Sequence, residues 1–123
     1  GHCKRSSRSK GSKEVRKMDA GAVVYEVNLT VRQEVAAEYC DWLKHHIVEM
    51  MKIDGFLSYT WMEREEEGTE EGDALWTVQY LLSSREALEK YFQDHATVMR
   101  KEGIDKFGGK FEASRRILRI VEK

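Results

Sequence analysis

The residues of this chain best suited to chemistry are two histidines set on two apolar stripes. At about 100° per residue, Val35, Tyr39, Leu43, His46, Ile47 and Met50 share one side of a predicted helix, with His45 turned to solvent. Ala87, Leu88, Tyr91, Phe92, His95, Val98 and Met99 form the matching stripe of a second helix, with His95 near its centre. Each helix then aims one imidazole at the surface it packs on. Imidazole titrates near neutrality and can donate, accept or shuttle a proton, which suits a small-ligand pocket. A histidine so placed can equally be a core residue whose ring nitrogens meet backbone or hydroxyl groups. The two readings differ in whether His46 and His95 approach each other around a void.

Strand residues supply further candidates. Asn28, Trp76, Gln79 and Tyr80 could shape a pocket under the helices, or serve only in cross-strand packing and hydrogen bonding. Arg115 and Arg116 are adjacent on a strand, so they point to opposite faces. One could receive an anionic group or pair with a sheet carboxylate such as Glu26 or Glu63, structural ion pairing being the plainer reading. Two histidines without a third ligand at metal spacing make half a site, and Cys40 lies at the edge of its stripe. No metal and no cofactor are therefore expected, haem on a single histidine being the one alternative. The segment from Glu63 to Asp73 holds seven acids and one base without the alternating spacing of a calcium loop, and reads as a solvated hairpin tip. No phosphate loop, dinucleotide fingerprint, zinc ribbon or nucleophile elbow occurs.

The elements that must position these residues are legible in the pattern. Residues 22–29 alternate Val23, Tyr25, Val27 and Leu29 on one face, a strand. Thr30-Val31-Arg32-Gln33 has the form of a capping box and opens a helix to about Met51 or Lys52, ended by Asp54-Gly55. Residues 56–63 and 74–82 read as two strands of a hairpin. Ser83 facing Glu86 starts a second helix, to about Lys101 with Gly103 as its stop, and Lys110 to Val121 is a last strand. Strand, helix, hairpin, helix, strand is the split βαβ arrangement of an α+β, ferredoxin-like βαββαβ domain. Right-handed crossovers place both helices on one face of a four-stranded antiparallel sheet. The other face, with Tyr25, Tyr59, Trp61, Trp76, Thr77 and Gln79 spread over the two sides, reads as too apolar to stay wet. A homodimer through that open face is the expectation.

Composition bounds the rest. A chain of 123 residues is one domain. Residues 1–20 carry seven basic and two acidic groups with almost nothing apolar, so a disordered tail is expected there, beginning with what looks like the scar of a cleaved tag at Gly1-His2. Residues 21–123 form the single α+β domain and carry 14 basic and 20 acidic groups. An acidic domain repels phosphate, so no nucleic-acid partner is expected. No apolar run approaches a membrane span and no signal-peptide core occurs, so no membrane partner is expected either. Two cysteines in unlike settings make no disulfide framework and fit a reducing, cytoplasmic location, with nuclear or organellar targeting by the tail left open.

These motifs together resemble a known family. Residues 25–31, Trp42-Leu43 with His46, and Gly55-Phe56-Leu57 resemble the first half of an uncharacterised, mainly bacterial family related to the dimeric α+β barrels. Residues 76–80, His95-Ala96, Met99-Arg100, residues 107–111 and Arg115-Arg116 are similar to its second half. The resemblance implies the fold already read from the pattern. Its wider superfamily includes cofactor-independent monooxygenases, small-lactone isomerases, haem-degrading enzymes and binding modules. The resemblance leaves function open, and the site residues support two expectations. One is a homodimeric small-molecule enzyme of the monooxygenase or isomerase type, with His95 as general base or donor and His46 its partner. The other is a non-catalytic dimeric binding or interaction module. Function must be argued from the site, because this fold hosts many chemistries.

Overall fold

The computed structural model describes residues 21–66 and 72–122. The predicted basic tail, with Cys3, and the centre of the acidic loop lie outside the described residues. The elements are β1 (Val23–Val31), α1 (Gln33–Met51), β2 (Phe56–Glu63), β3 (Ala74–Leu82), α2 (Arg85–Asp94), α3 (Ala96–Phe107) and β4 (Phe111–Arg119). The sheet runs β2-β3-β1-β4 with every pairing antiparallel. This is the ferredoxin-like α+β architecture, with three helices where the pattern predicted two.

The third helix comes from a break at His95, whose φ of −129° and ψ of −31° interrupt the helical path. Asp94 and His95 are weak helix formers, and the helix resumes on a new phase at Ala96. The predicted stripe therefore holds for Ala87, Leu88, Tyr91, Phe92 and Met99, which pack on the core, and fails at His95 and Val98, the latter 61% exposed. Gly103 does not stop the helix. It lies inside α3, where a Cβ would come within 3.0 Å of the Trp42 ring, so glycine permits the close approach of α3 to α1. The helix ends instead at Gly108, which has a φ of +56°.

Both predicted caps shift. Thr30 stays in β1, and the first turn of α1 is served by Asp73, whose carboxylate accepts from the Gln33 amide at 3.2 Å. On α2 it is Ser84, not Ser83, that caps, accepting from the Ala87 amide at 3.0 Å.

Register decides the two faces of the sheet. Tyr25 pairs with Tyr80 and Ile117, Val27 with Val78 and Arg115, and Leu29 with Trp76 and Ala113. Tyr59 and Trp61 oppose Tyr80 and Val78, so they share that side too. This side packs under the helices around Tyr39, Leu43, Ile47, Met50, Leu88 and Tyr91. Nearly all the aromatic surface is thus spent on one side, where burying it contributes most. The aromatic residues expected to be shared between the faces lie on the helix side; the open face has Glu26, Asn28, Thr77, Gln79 and Arg116 at its centre, with Val24, Leu75, Leu81, Met62 and Leu118 around them.

Candidate functional site

A cavity of about 300 Å³ lies between α1, α3 and the β1–β4 side of the sheet. Its floor is Tyr25, Val27 and Tyr80 from the strands; α1 contributes Trp42 and His46, and α3 contributes Arg100 and Gly103. Arg115 reaches it from the edge strand β4. Among the described residues no aspartate or glutamate lines it.

His46 is half-buried in its wall. The Trp42 ring stacks on the imidazole with centroids 4.5 Å apart and planes at 21°. Its Nδ1 is buried and has no hydrogen-bond partner. Burial, and behind it the charge of Arg115, lowers the imidazole to a pKa of about 4. The ring is accordingly neutral across the physiological range, with one nitrogen unspent.

Arg100 is held in two ways. Its Nη2 donates to the Tyr25 hydroxyl at 3.0 Å, and its guanidinium carbon lies 5.8 Å from the Phe92 ring centroid. Its Nε is nonetheless buried with no acceptor. Around these groups, burial pushes the Tyr39, Tyr80 and Tyr91 phenols up, Tyr80 and Tyr91 further so through neighbouring tyrosines. These hydroxyls stay protonated, and that of Tyr91 is hydrogen-bonded to Tyr25.

The candidate residues named from sequence separate into three groups. His46, Tyr80 and Arg115 line the cavity. Trp76 lies on the same side of the sheet, its ring 6.3 Å from that of Tyr39, without reaching the cavity. Asn28 and Gln79 lie on the opposite face, because strand alternation sets Gln79 against Tyr80 and Asn28 against Leu29. His95 is exposed at the junction of α2 and α3 and does not line the cavity, so the two histidines do not meet around a void. Arg100 was not a candidate. Its signal was its place on the face of α3 shared by the buried Ala96, Gly103 and Phe107, readable only once the break at His95 is known.

The opposite face carries a closed network. Glu26, only 3% exposed, accepts from Asn28 Nδ2 at 2.9 Å, from Gln79 Nε2 at 2.9 Å and from Arg116 Nε at 2.6 Å. Thr77 Oγ1 in turn donates to Asn28 Oδ1 at 2.6 Å. Arg116, and with it the two amides, draws the Glu26 carboxyl down to about 2 against the opposing effect of burial. Among the described residues no three His, Cys, Asp or Glu side chains converge as metal ligands, and no helix is long and apolar enough to cross a membrane.

A search of curated proteins finds no sequence match to this chain. Solved structures match it in fold. SnoaB, a cofactor-independent oxygenase from Streptomyces nogalater, superposes with a TM-score of 0.58 at 11% identity, covering 80% of this chain and 92% of that one. A conserved protein from Methanosarcina mazei Go1 superposes with a TM-score of 0.62 at 18% identity, covering 85% and 97%. A dimeric ferredoxin-like protein from an uncultured marine organism gives 0.58 at 12% identity, covering 84% and 98%. At these identities the likeness is one of fold. The family is a separate matter, for its model spans nearly the whole domain: residues 22–121 match it, and the chain belongs to the domain of unknown function family DUF4286.

Proposed function

We propose that this chain is a homodimeric small-molecule enzyme of the cofactor-independent monooxygenase or isomerase type, with His46 accepting a proton from an enolisable aromatic carbonyl compound. The observation that carries this reading is the neutral His46 imidazole in the wall of an aromatic-lined cavity, its buried Nδ1 without a hydrogen-bond partner. In the shared first step a C–H bond α to the carbonyl breaks, its electron pair enters the enolate and the proton passes to His46. Returning that proton to another carbon is isomerisation. Delivering the enolate's electrons to dioxygen, as co-substrate, turns a CH₂ into a carbonyl and releases water. A pKa of about 4 makes His46 a weak base in the empty cavity. An enolate forming beside it offsets the charge of Arg115 and favours the imidazolium as the transition state develops.

The fold shared with SnoaB supports the reaction type, and the fold shared with a dimeric ferredoxin-like protein supports the homodimer. The dimer would form through the open sheet face, where Met62 is 36% exposed beside the polar centre. Native mass spectrometry checks it, a monomer at micromolar concentration counting against it. A second reading, a non-catalytic binding module, is favoured by one observation: His95, the expected general base with His46 its partner, is exposed and away from the cavity.

Deuterium exchange at the α-carbon of 2-tetralone, followed by NMR, separates the two. The expected result is acceleration that His46→Ala reduces by about 10²-fold or more. Saturable binding without exchange would leave the binding module standing, and no binding would sink the pocket itself.

A further inference from the structure

We infer that the cavity selects a flat aromatic monoanion, a carboxylate, phenolate or enolate, with its anionic group received between Arg100 and Arg115. The inference rests on the small-molecule reading of the same cavity and adds the charge of the ligand and the residues that read it. Two guanidiniums border the cavity and, among the described residues, no carboxylate does. None of the ion pairs formed by the described residues involves Arg100 or Arg115.

Two nearby arginines do have carboxylate partners. Arg116, one residue along β4, pairs with Glu26 at 2.6 Å, and Arg64 pairs with Glu66 at 2.7 Å. A guanidinium at a cavity wall with no carboxylate partner is poised for an anion, which supplies the missing charge and a charge-assisted hydrogen bond. Arg100 is also pre-positioned: the Tyr25 hydroxyl and the Phe92 ring hold its plane, leaving Nε free. Little side-chain freedom is then lost when an acceptor arrives. Arg115 is exposed at the opening, and its charge is felt by His46, Tyr39 and Tyr91. A positive mouth over low-dielectric aromatic walls focuses its field inward. Those walls supply the flat apolar contact: Trp42, Tyr25 and Tyr80 around a volume at the lower end of the small-ligand range.

The test compares 2-naphthoate with 2-naphthamide, near-isosteres that differ in charge, by titration calorimetry at neutral pH. The expected result is naphthoate binding about tenfold or more tighter than the amide. Arg115→Gln, at an exposed position, should erase most of that preference while leaving amide affinity within about twofold. Arg100→Lys keeps the charge and loses the planar fork, so it should weaken naphthoate by less than Arg100→Gln does. Equal affinity for the two probes would overturn the anion inference and leave the cavity reading intact. A naphthoate preference that survives all three substitutions would also overturn it, placing the anion elsewhere. Failure of both probes to bind would sink the pocket reading and the inference together.

Discussion

The two faces of the central sheet treat charge in opposite ways. On the open face the Glu26 carboxylate is closed off by three donors, and every member of the Glu26, Asn28, Thr77, Gln79 and Arg116 group has a partner. On the helix face, His46 Nδ1 and Arg100 Nε are buried without partners around a cavity. The same β strands build both faces, so fold stability alone does not explain the contrast. A satisfied buried network stiffens the fold and asks for nothing further. An unsatisfied pair is unfavourable in isolation, and is retained where something else completes it.

That contrast can be broken from either side. The largest stability effect is expected on the closed face: Glu26→Ala should destabilise by about 2–3 kcal/mol, because it removes an acceptor common to three donors. Urea unfolding at fixed protein concentration measures this, and a loss near zero would show that the network is decorative. Gly103→Ala acts on the cavity wall. Alanine gains about 1 kcal/mol in helix propensity, but its Cβ presses on Trp42, which is wedged between Tyr39, His46 and Phe107. Net stability should change by under about 1 kcal/mol while 2-naphthoate affinity falls severalfold, as the displaced Trp42 moves His46 with it. An unchanged affinity would detach Trp42 from the site.

The pH dependence of stability separates the two faces, because they occupy different windows. Glu26 is held at about 2 against an ordinary 4.5, so its contribution is complete above pH 4.5 and is lost as the pH falls toward 2. His46 is held at about 4 against an ordinary 6.5. Below pH 6.5 the unfolded chain takes up a proton that the folded one refuses, so stability falls as the pH drops from 6.5 to about 4. Unfolding free energies across pH should lose the upper slope in His46→Ala and the lower slope in Glu26→Gln. A slope between pH 4 and 6.5 that persists in His46→Ala would assign it to other groups.

Much of this was legible in advance, and the failures have specific causes. The stripe on α1 placed His46 correctly because helix periodicity holds without interruption from Gln33 to Met51. The same reasoning misplaced His95, since a one-residue break resets the phase and no strong breaker announces it. Gly103 was read as a stop although its reason is tertiary, the ring of a tryptophan on another helix. Gln79 and Tyr80 were both assigned to the pocket although neighbours in a strand face opposite ways. For the adjacent arginines the alternation was used properly: one was expected at an anion or a sheet carboxylate, and Arg116 meets Glu26.

By itself, then, the sequence determined the order of elements, the ferredoxin-like fold class and the apolar stripe that carries His46, because these depend on local periodicity and turn chemistry. It also determined that Arg115 and Arg116 part company. Only the tertiary structure decided which of the two faces the cavity, since that depends on the register of β4 against β1, which pairs Arg115 with Val27 and Arg116 with Glu26. It alone brought Arg100 to within 3.0 Å of a tyrosine 75 residues earlier and left its Nε unsatisfied. Pairings at such separation depend on how the helices pack, and that packing turns on the closeness of α1 and α3 at Gly103 and on a change of phase at His95.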